Sequence, residues 1–410
     1  MISRVKQLME RLAFRGTHPC INDMFRFRKI WRLTWVLIGF ALLTLFFISK
    51  SGGDIHSTKN FFLSRSLTDD RTIKTIVNNT SRPLFRSTKP GTMVIVLTYM
   101  RSGSSLTGDL IQQSPDVFYV YEPLYTLSKL MKTESRLTFF NKPDKQNTAK
   151  RYDTNALELL DSMLTCNSYD IDIHTLRQYH YGGSKTTKKY LECLKLSQGV
   201  MGTASCLPLF QNACANSKVS VMKTIRMSVK SLKPLMTKLP TLKVIHLIRD
   251  PRGTLRSQQS VGEFNVKGTI NATVKFCNRV LSDLKASTEL YKVFPGRIKT
   301  VRYEDIAEAP IKATDEIYKF IGLNMTSSIR NYIWNITSAG HPDNCVICTT
   351  RNSSIATAYK WRQKLKFDMV TMIDKVCSKV YDRLGYLPLK DVKDMKNMKI
   401  SVKKPMKLTP

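Results

Sequence analysis

A short loop, Arg101-Ser102-Gly103-Ser104-Ser105, carries the residue types that bind a phosphate or a sulfate. Successive backbone N–H groups, a glycine that permits close approach, serine hydroxyls and one guanidinium would meet an anion at the start of a helix. The GxxxxGK[ST] pattern is absent and the loop has no lysine, so magnesium-dependent ATP hydrolysis lacks its usual residues. Taken alone, the loop could also be a simple Ser/Gly turn after a strand.

A second basic motif, Ile248-Arg249-Asp250-Pro251-Arg252-Gly253, follows an apolar segment and precedes Ser257. Its two arginines and the serine could hold a second phosphate. The alternative is a charged turn in which Asp250 caps the next helix, and Arg252 is the weaker candidate because it could equally pair with Asp250. Two such motifs in one chain favour a ligand with two anionic groups.

Short apolar runs must position these loops. We predict buried strands in five segments: TMVIVLTY from Thr92, VFYVY from Val117, VSVMK from Val219, LKVIHLI from Leu242 and IKTVRY from Ile298. Strands that alternate with helices predict an α/β fold, with a P-loop-like parallel sheet flanked by helices and ligands at the carboxyl ends of its strands. Residues from about 127 to 216 lack this alternation and could shape a substrate cleft.

The chain has 410 residues and a formal net charge of +34. That length predicts one sizeable folded domain with extensions, and that charge favours a polyanionic or membrane partner. The charge is spread along the chain without a zinc-finger, basic-zipper or RNA-binding signature, so nucleic acid is the least favoured partner.

The only long apolar run, Trp31 to Ile48, is long enough to cross a bilayer. The segment before it is rich in Arg and Lys, which predicts a cytosolic tail (1–30), a single transmembrane signal anchor (31–49) and a luminal remainder, rather than a cleaved signal peptide. A polar stem (50–90) would lead to the folded domain (91–389), and a basic tail (390–410) is predicted to be disordered.

Eight cysteines follow the predicted anchor, an even number on the oxidising side of a membrane. Some should form disulfides, and the single CxxC pair, Cys345 and Cys348, favours a disulfide over zinc because no second pair stands at zinc-site spacing. Glycosylation sequons agree with luminal placement; they begin at Asn78, Asn79, Asn271, Asn324, Asn335 and Asn352.

Together these segments resemble the Golgi carbohydrate 6-O-sulfotransferases, which include keratan sulfate and chondroitin 6-sulfotransferases. The likeness covers roughly residues 93 to 386 through LTYMRSGSSLTG, DVFYVYEPLY, VMKTIR, LKVIHLIRDPRGTLRS, VRYEDIAEAP, TTRNSSIATAYKWRQKL and RLGY, in that order. It implies the sulfotransferase fold, a Golgi type II membrane protein and transfer of a sulfonate from 3′-phosphoadenosine 5′-phosphosulfate (PAPS), with PAP as the product. The acceptor would be a glycan or glycosaminoglycan, and a homodimer stays open.

The resemblance also implies which residues bind the donor. Arg101, Ser102, Gly103, Ser104 and Ser105 would cradle the 5′-phosphosulfate. Arg249 and Ser257 would hold the 3′-phosphate, the group that distinguishes PAPS from ordinary nucleotides.

Sulfonate transfer needs an acceptor hydroxyl in line behind the sulfur and a base that removes its proton. The resemblance points to Glu122, at the end of the VFYVY strand, as that base; a helix-start carboxylate before Pro123 is the alternative. Lys223 and Arg226 would stabilise the transferring group or bind acceptor anions, with Arg101 neutralising the sulfonate. Because such cations replace a metal ion, no metal is expected.

Other polar residues near these motifs carry less specific expectations. His246 lies inside a predicted strand and is expected to be a core histidine, whereas Tyr303, Glu304 and Asp305 are expected to brace the fold. Arg351, Lys360 and Trp361 stand in the late segment and could close over nucleotide or glycan.

Two alternatives remain at this point: a non-catalytic luminal glycan-binding protein that kept the fold, and a P-loop nucleotide kinase, which the missing Walker residues disfavour. The acceptor sugar is not determined by the donor motifs. Galactose or N-acetylgalactosamine is the first candidate for the acceptor sugar, and N-acetylglucosamine is the second.

Overall fold

The structure is a computed structural model that describes residues 90–342 and 348–406. The predicted tail and anchor, the stem up to residue 89, Asn78, Asn79 and Cys345 lie outside these ranges. Within them, no helix is long and apolar enough to cross a membrane.

Within the described ranges, a parallel sheet of five strands has the order β2-β5-β1-β6-β7. Its strands are β1 (Thr92–Leu97), β2 (Val117–Tyr121), β5 (Val219–Thr224), β6 (Leu242–Ile248) and β7 (Ile298–Arg302), while β3 (Arg136–Leu137) and β4 (Lys145–Gln146) form a separate antiparallel pair. The five predicted strands are confirmed, to within two residues at their ends.

Helices cover both faces of the main sheet. They are α1 (Ser104–Ile111), α2 (Tyr125–Lys132), α3 (Tyr152–Leu164), α4 (Ile173–Leu176), α5 (Lys188–Leu196), α6 (Gly199–Ala215), α7 (Lys233–Lys238), α8 (Pro251–Ser260), α9 (Thr269–Val293), α10 (Tyr303–Glu308), α11 (Pro310–Ile321), α12 (Ser327–Thr337), α13 (Ser354–Tyr359), α14 (Trp361–Lys364), α15 (Phe367–Val376), α16 (Ser378–Leu384) and α17 (Val392–Lys396). Short 3₁₀ turns lie at Ser168–Asp170, Tyr179–Gly183, Val229–Leu232 and Val266–Gly268.

Strand β1 shows why its sequence is apolar throughout. Alternate side chains point to opposite faces of a strand, and Met93, Ile95 and Leu97 pack into one core cluster, while Val94 and Val96 pack into another. A strand covered on both sides needs apolar residues at every position, which is the pattern the sequence has. His246 in β6 is a core histidine as predicted: it is fully buried, and its ring nitrogens are 2.9 Å from the Tyr99 hydroxyl and from Ser287 Oγ.

Residues 127 to 216, which had no recognisable pattern, fold mainly into helices α3 to α6 beside β2 and β5. Two disulfides brace this region, Cys166–Cys214 and Cys193–Cys206. A third, Cys277–Cys377, joins α9 to the end of α15, and Cys348 is also disulfide-bonded. The prediction that some cysteines pair is confirmed.

Replacing both members of Cys277–Cys377 by serine should lower the free energy of unfolding by about 4–5 kcal/mol, because this bond closes a loop of 100 residues in the unfolded chain. The matched control replaces Cys193 and Cys206, whose loop of 13 residues predicts a loss of about 3 kcal/mol. Urea unfolding of the two variants measures the difference. A larger loss in the control would contradict the loop-entropy explanation.

The structure corrects the expected disorder of residues 390–410 for the part up to Met406. Helix α17 buries Met395, and Val402 is buried further along. The buried guanidinium of Arg362 donates from Nη2 to the carbonyl oxygen of Asn397 at 2.7 Å and from Nη1 to that of Ile400 at 2.9 Å. A few apolar anchors and one arginine therefore fix a segment that composition alone marks as unstructured.

Candidate active site

A cavity of about 880 Å³ lies at the carboxyl ends of the sheet strands. Residues after each strand line it: Met100 after β1, Glu122 after β2, Ile225 after β5, Arg249 after β6 and Tyr303 after β7. This is the edge where parallel α/β sheets bind ligands.

The loop after β1 turns sharply into α1 at this edge. Arg101 and Gly103 have φ angles of 64° and 84°, in the left-handed region. A Cβ atom on Gly103 would lie 2.0 Å from Cδ2 of Tyr303, so only glycine fits there. Gly103, Ser104 and Ser105 all line the cavity, and among the described residues the N-cap residue of α1 makes no side-chain hydrogen bond. The N–H groups of the first turn of α1 can therefore bind an anion.

Ser102 differs from the other residues of the loop. Its side chain is fully buried, does not line the cavity and has no hydrogen-bond partner among the described residues for its Oγ. Its backbone N–H donates to the Tyr99 carbonyl oxygen at 3.2 Å. The side chain of Ser102 is therefore not part of the cavity wall, unlike Ser104 and Ser105, and its role toward the donor stays a prediction.

The two anion motifs meet in the cavity. Arg101 Nε donates to Ser257 Oγ at 2.9 Å, although the two residues are 156 positions apart. Arg249 Nη1 donates to the Arg101 carbonyl oxygen at 3.2 Å, and its guanidinium carbon lies 4.7 Å from the centre of the Tyr303 ring. Burial, followed by repulsion from Arg249 and Arg351, lowers the pKa of Arg101, because three guanidinium groups are held close together here.

Two polar side-chain atoms of residues that line this part of the cavity have no hydrogen-bond partner within the described part of the chain. Arg249 Nε and Trp361 Nε1 are buried without a hydrogen-bond partner among the described residues. Gly253 separates them, since a Cβ there would lie 2.9 Å from Arg249 Nε and 3.2 Å from Cδ1 of Trp361. Buried donors are normally satisfied, so unpaired ones beside excess positive charge fit a bound anionic group. This arrangement fits the phosphates of a nucleotide such as PAPS.

Glu122 lies on the other side of the cavity, where β2 ends. Its backbone is in the left-handed region, with a φ of 51°, and its side chain is buried. One carboxylate oxygen forms an ion pair with Lys223 Nζ and the other with Arg226 Nη1. Helix α2 begins only at Tyr125, with Leu124 at the N-cap position, so Glu122 is not the helix-capping carboxylate of the alternative interpretation.

Positive charge dominates the described residues that line the cavity. Eight are basic and two are acidic: Arg101, Lys223, Arg226, Arg249, Arg256, Arg351, Lys360 and Lys364 against Glu122 and Glu263. In the same described ranges, no group of three or more His, Cys, Asp or Glu side chains is placed to hold a metal ion. The arrangement can bind a polyanion, and it surrounds the Glu122 carboxylate with cations.

Arg252 belongs to the fold rather than to the cavity. It is fully buried, and its guanidinium bonds both carboxylate oxygens of Asp250 and, at 3.0 Å, the Leu387 carbonyl oxygen. Asp250 Oδ1 also accepts from the Arg252 backbone N–H at 2.9 Å, so it caps α8 as the sequence suggested. Glu304 supports the same turn by accepting from the Asp250 backbone N–H at 3.1 Å.

Sequence reasoning missed His180 and Tyr121 as residues of the cavity wall. Tyr121 is the last residue of a predicted buried strand, and its place directly before Glu122 is the one signal that could have found it. His180 comes from the 3₁₀ turn Tyr179–Gly183, inside the segment without a sequence pattern. No local signal marks it, because its position depends on how that segment packs against β2.

The sequence of the chain is similar to known proteins over most of the described domain. The sequence model described as "Sulfotransferase family" matches residues 94–327. Carbohydrate sulfotransferase 1 of Mus musculus is 32% identical over 352 residues, which are 76% of this chain and 83% of that protein. Carbohydrate sulfotransferase 4 of Mus musculus is 26% identical over 345 residues, 75% of this chain and 85% of that protein. Among solved structures, the sulfotransferase domain of the Synechococcus PCC 7002 olefin synthase matches with a TM-score of 0.37 and 16% identity, covering 70% of this chain and 95% of that domain.

Proposed function

Because this chain belongs to the sulfotransferase family and is similar to its carbohydrate sulfotransferases, we propose that it transfers a sulfonate from PAPS to a sugar hydroxyl of a glycan. The observation that carries the proposal is the hydrogen bond between Arg101 and Ser257. It brings the loop expected to bind the 5′-phosphosulfate and the motif expected to bind the 3′-phosphate to one cavity. A donor with anionic groups at both positions would span them.

In this proposal the donor is held by the residues around Arg101. The N-terminus of α1, with Gly103, Ser104 and Ser105, binds the phosphosulfate, while Arg249 and Ser257 bind the 3′-phosphate. Fixed cations and N–H groups stabilise the charge that develops on the bridging oxygen as its bond to sulfur breaks.

Glu122 acts as the base toward the acceptor. A carboxylate offers about four lone-pair sites, so the ion pairs with Lys223 and Arg226 leave room to accept a hydroxyl proton. The acceptor oxygen forms its bond to sulfur, the bond from sulfur to the phosphate oxygen breaks, and the proton passes to Glu122. Lys223, which lines the cavity and pairs with Glu122, would stabilise the transferring group together with Arg101.

We further propose a type II Golgi membrane protein with a cytosolic tail (1–30), an anchor (31–49), a stem (50–90) and a luminal catalytic domain from residue 91. Support comes from the apolar run Trp31 to Ile48 and its basic flank. The disulfides fit an oxidising compartment. The sequon asparagines of the described ranges, Asn271, Asn324, Asn335 and Asn352, are exposed, as glycan attachment requires.

The acceptor position proposed here is the 6-hydroxyl of galactose, N-acetylgalactosamine or N-acetylglucosamine, by similarity to the carbohydrate sulfotransferases. The test is transfer of radiolabelled sulfonate from PAPS by the full-length chain in detergent. The acceptors are desulfated keratan sulfate, desulfated chondroitin sulfate and N-acetylglucosamine-ended oligosaccharides. Label at carbon 6 of one of them supports the proposal. Glycan binding without transfer to any acceptor would instead indicate a non-catalytic glycan-binding protein.

A further inference from the structure

An aromatic cluster stands beside Glu122 at the β2 edge of the sheet. It consists of Tyr121, Tyr125, Tyr179 and His180. The His180 ring centre lies 4.2 Å from that of Tyr179 in a stacked arrangement and 4.0 Å from that of Tyr125 in a tilted one. The Tyr121 ring centre lies 5.7 Å from that of His180, also in a stacked arrangement. Neighbouring rings on three sides of the cluster thus fix the His180 imidazole.

The position of the cluster separates it from the donor motifs. In the sheet order β2-β5-β1-β6-β7, the 5′-phosphosulfate loop follows the central strand β1 and the 3′-phosphate motif follows β6. The cluster is attached to β2, at the opposite edge, where the Tyr121 backbone N–H donates to Ser184 Oγ at 3.0 Å. A nucleotide that extends from β1 toward β6 leaves this side of the cavity to the acceptor.

His180 carries an unsatisfied polar atom on that side of the cavity. It lines the cavity, and its Nδ1 is buried without a hydrogen-bond partner in the described part of the chain. Burial lowers the pKa of His180 to about 4, with opposing effects from Glu122 and from Arg226, so the ring is neutral near pH 7. A neutral imidazole offers one donor and one acceptor, which is what a sugar hydroxyl can match.

Tyr179 extends the cluster beyond the cavity. It is 64% exposed although it is a large ring, one of its faces is covered by His180, and it does not itself line the cavity. Cations surround the neighbouring Tyr125, with Lys129 Nζ at 5.1 Å and the Arg226 guanidinium carbon at 4.9 Å from its ring centre. This mixture of ring faces, polar edges and positive charge suits a polar, ring-shaped ligand better than a purely apolar one.

We propose that Tyr125, Tyr179 and His180 form an acceptor subsite for an oligosaccharide. The reacting sugar lies between Glu122 and His180, and the next sugar of the chain packs on the open face of Tyr179. The inference rests on the proposed function and specifies its substrate class: a chain of at least two sugars binds better than one sugar, because a single sugar does not reach Tyr179.

The test compares the acceptor kinetics of the full-length wild type with those of Tyr179→Ala. Two acceptors are used: the glycan of the panel that the wild type sulfates, and a methyl glycoside of the single sugar that receives the sulfonate. Tyr179→Ala should raise the acceptor KM for the glycan about tenfold, because apolar contact on the ring face is lost. Its KM for the methyl glycoside and for PAPS, and its kcat, should stay within about twofold. Tyr179→Phe, which keeps the ring face, is the matched control and should behave like the wild type.

His180→Ala adds a second measurement inside the cavity. Loss of its hydrogen bond should raise the acceptor KM about two- to tenfold for the glycan and the methyl glycoside alike, with an unchanged KM for PAPS. An unchanged acceptor KM in Tyr179→Ala, or an equal increase for both acceptors, overturns the subsite while leaving sulfonate transfer intact. A rise in the PAPS KM would assign the cluster to the nucleotide instead. No transfer by the wild type to any acceptor of the panel would overturn the proposed function, and this inference with it.

Discussion

Replacing Glu122 by glutamine is expected to lower kcat for sulfonate transfer by about 10²- to 10⁴-fold, the usual contribution of a general base. Glutamine fills the same space but cannot take a proton from the acceptor hydroxyl. Donor binding should change little, because Arg101, Arg249 and Ser257 lie around the ends of β1 and β6, away from β2. The measurement is steady-state transfer from PAPS, together with PAP binding by calorimetry.

The substitution also leaves Lys223 and Arg226 without their carboxylate, and buried ion pairs that lose one partner destabilise a protein by about 3–5 kcal/mol. PAP affinity therefore serves as the check on folding: it should stay within about threefold of the wild type. Glu263→Gln is the matched control, since Glu263 is exposed and lines the same cavity without an ion pair among the described residues. A Glu122→Gln variant with normal kcat would show that Glu122 only holds the two cations.

Replacing Arg101 by alanine is expected to lower kcat by about 10²- to 10³-fold, the cost of removing one fixed group that stabilises transition-state charge. It should also weaken PAP binding, because the guanidinium stands where the two anion motifs meet and bonds Ser257. Arg101→Lys keeps the charge but loses the planar fork, so it should recover only part of the activity. Transfer rates and PAP affinities of both variants measure the effect.

Lys364→Ala is the control for net charge in this comparison. Lys364 is an exposed residue of the cavity wall, so its removal lowers the positive charge by the same amount without touching the junction of the motifs. Screening by solvent should keep its effect to about twofold at physiological ionic strength. Equal losses in Arg101→Ala and Lys364→Ala would mean that the cavity acts only through its overall charge.

The strands of the sheet and the position of the loop from Arg101 to Ser105 at the cavity could be predicted because their signals are local. Each buried strand is a continuous apolar run, and Arg101 to Ser105 stand directly after the first of them.

Ser102 shows the limit of such motifs. A motif states only which residues follow one another. Which side chains of the loop face the cavity depends on its backbone conformation, which has positive φ angles at Arg101 and Gly103. The helical region from 127 to 216 had no such local pattern, and its arrangement depends on packing and on two disulfides.

The sequence by itself therefore determined the fold class, the two motifs that follow β1 and β6, and the excess of positive charge, since each of these depends on composition or on neighbours along the chain. Only the tertiary structure decided how the motifs combine. The parallel sheet order places β5 and β1 between β2 and β6, which joins Arg101 to Ser257 across 156 positions and Glu122 to Lys223 across 101. His180 reaches the same cavity from a segment packed on β2. Contacts between residues so far apart in the chain follow from the packing of whole helices and strands, so the spacing of residues in the sequence does not predict them.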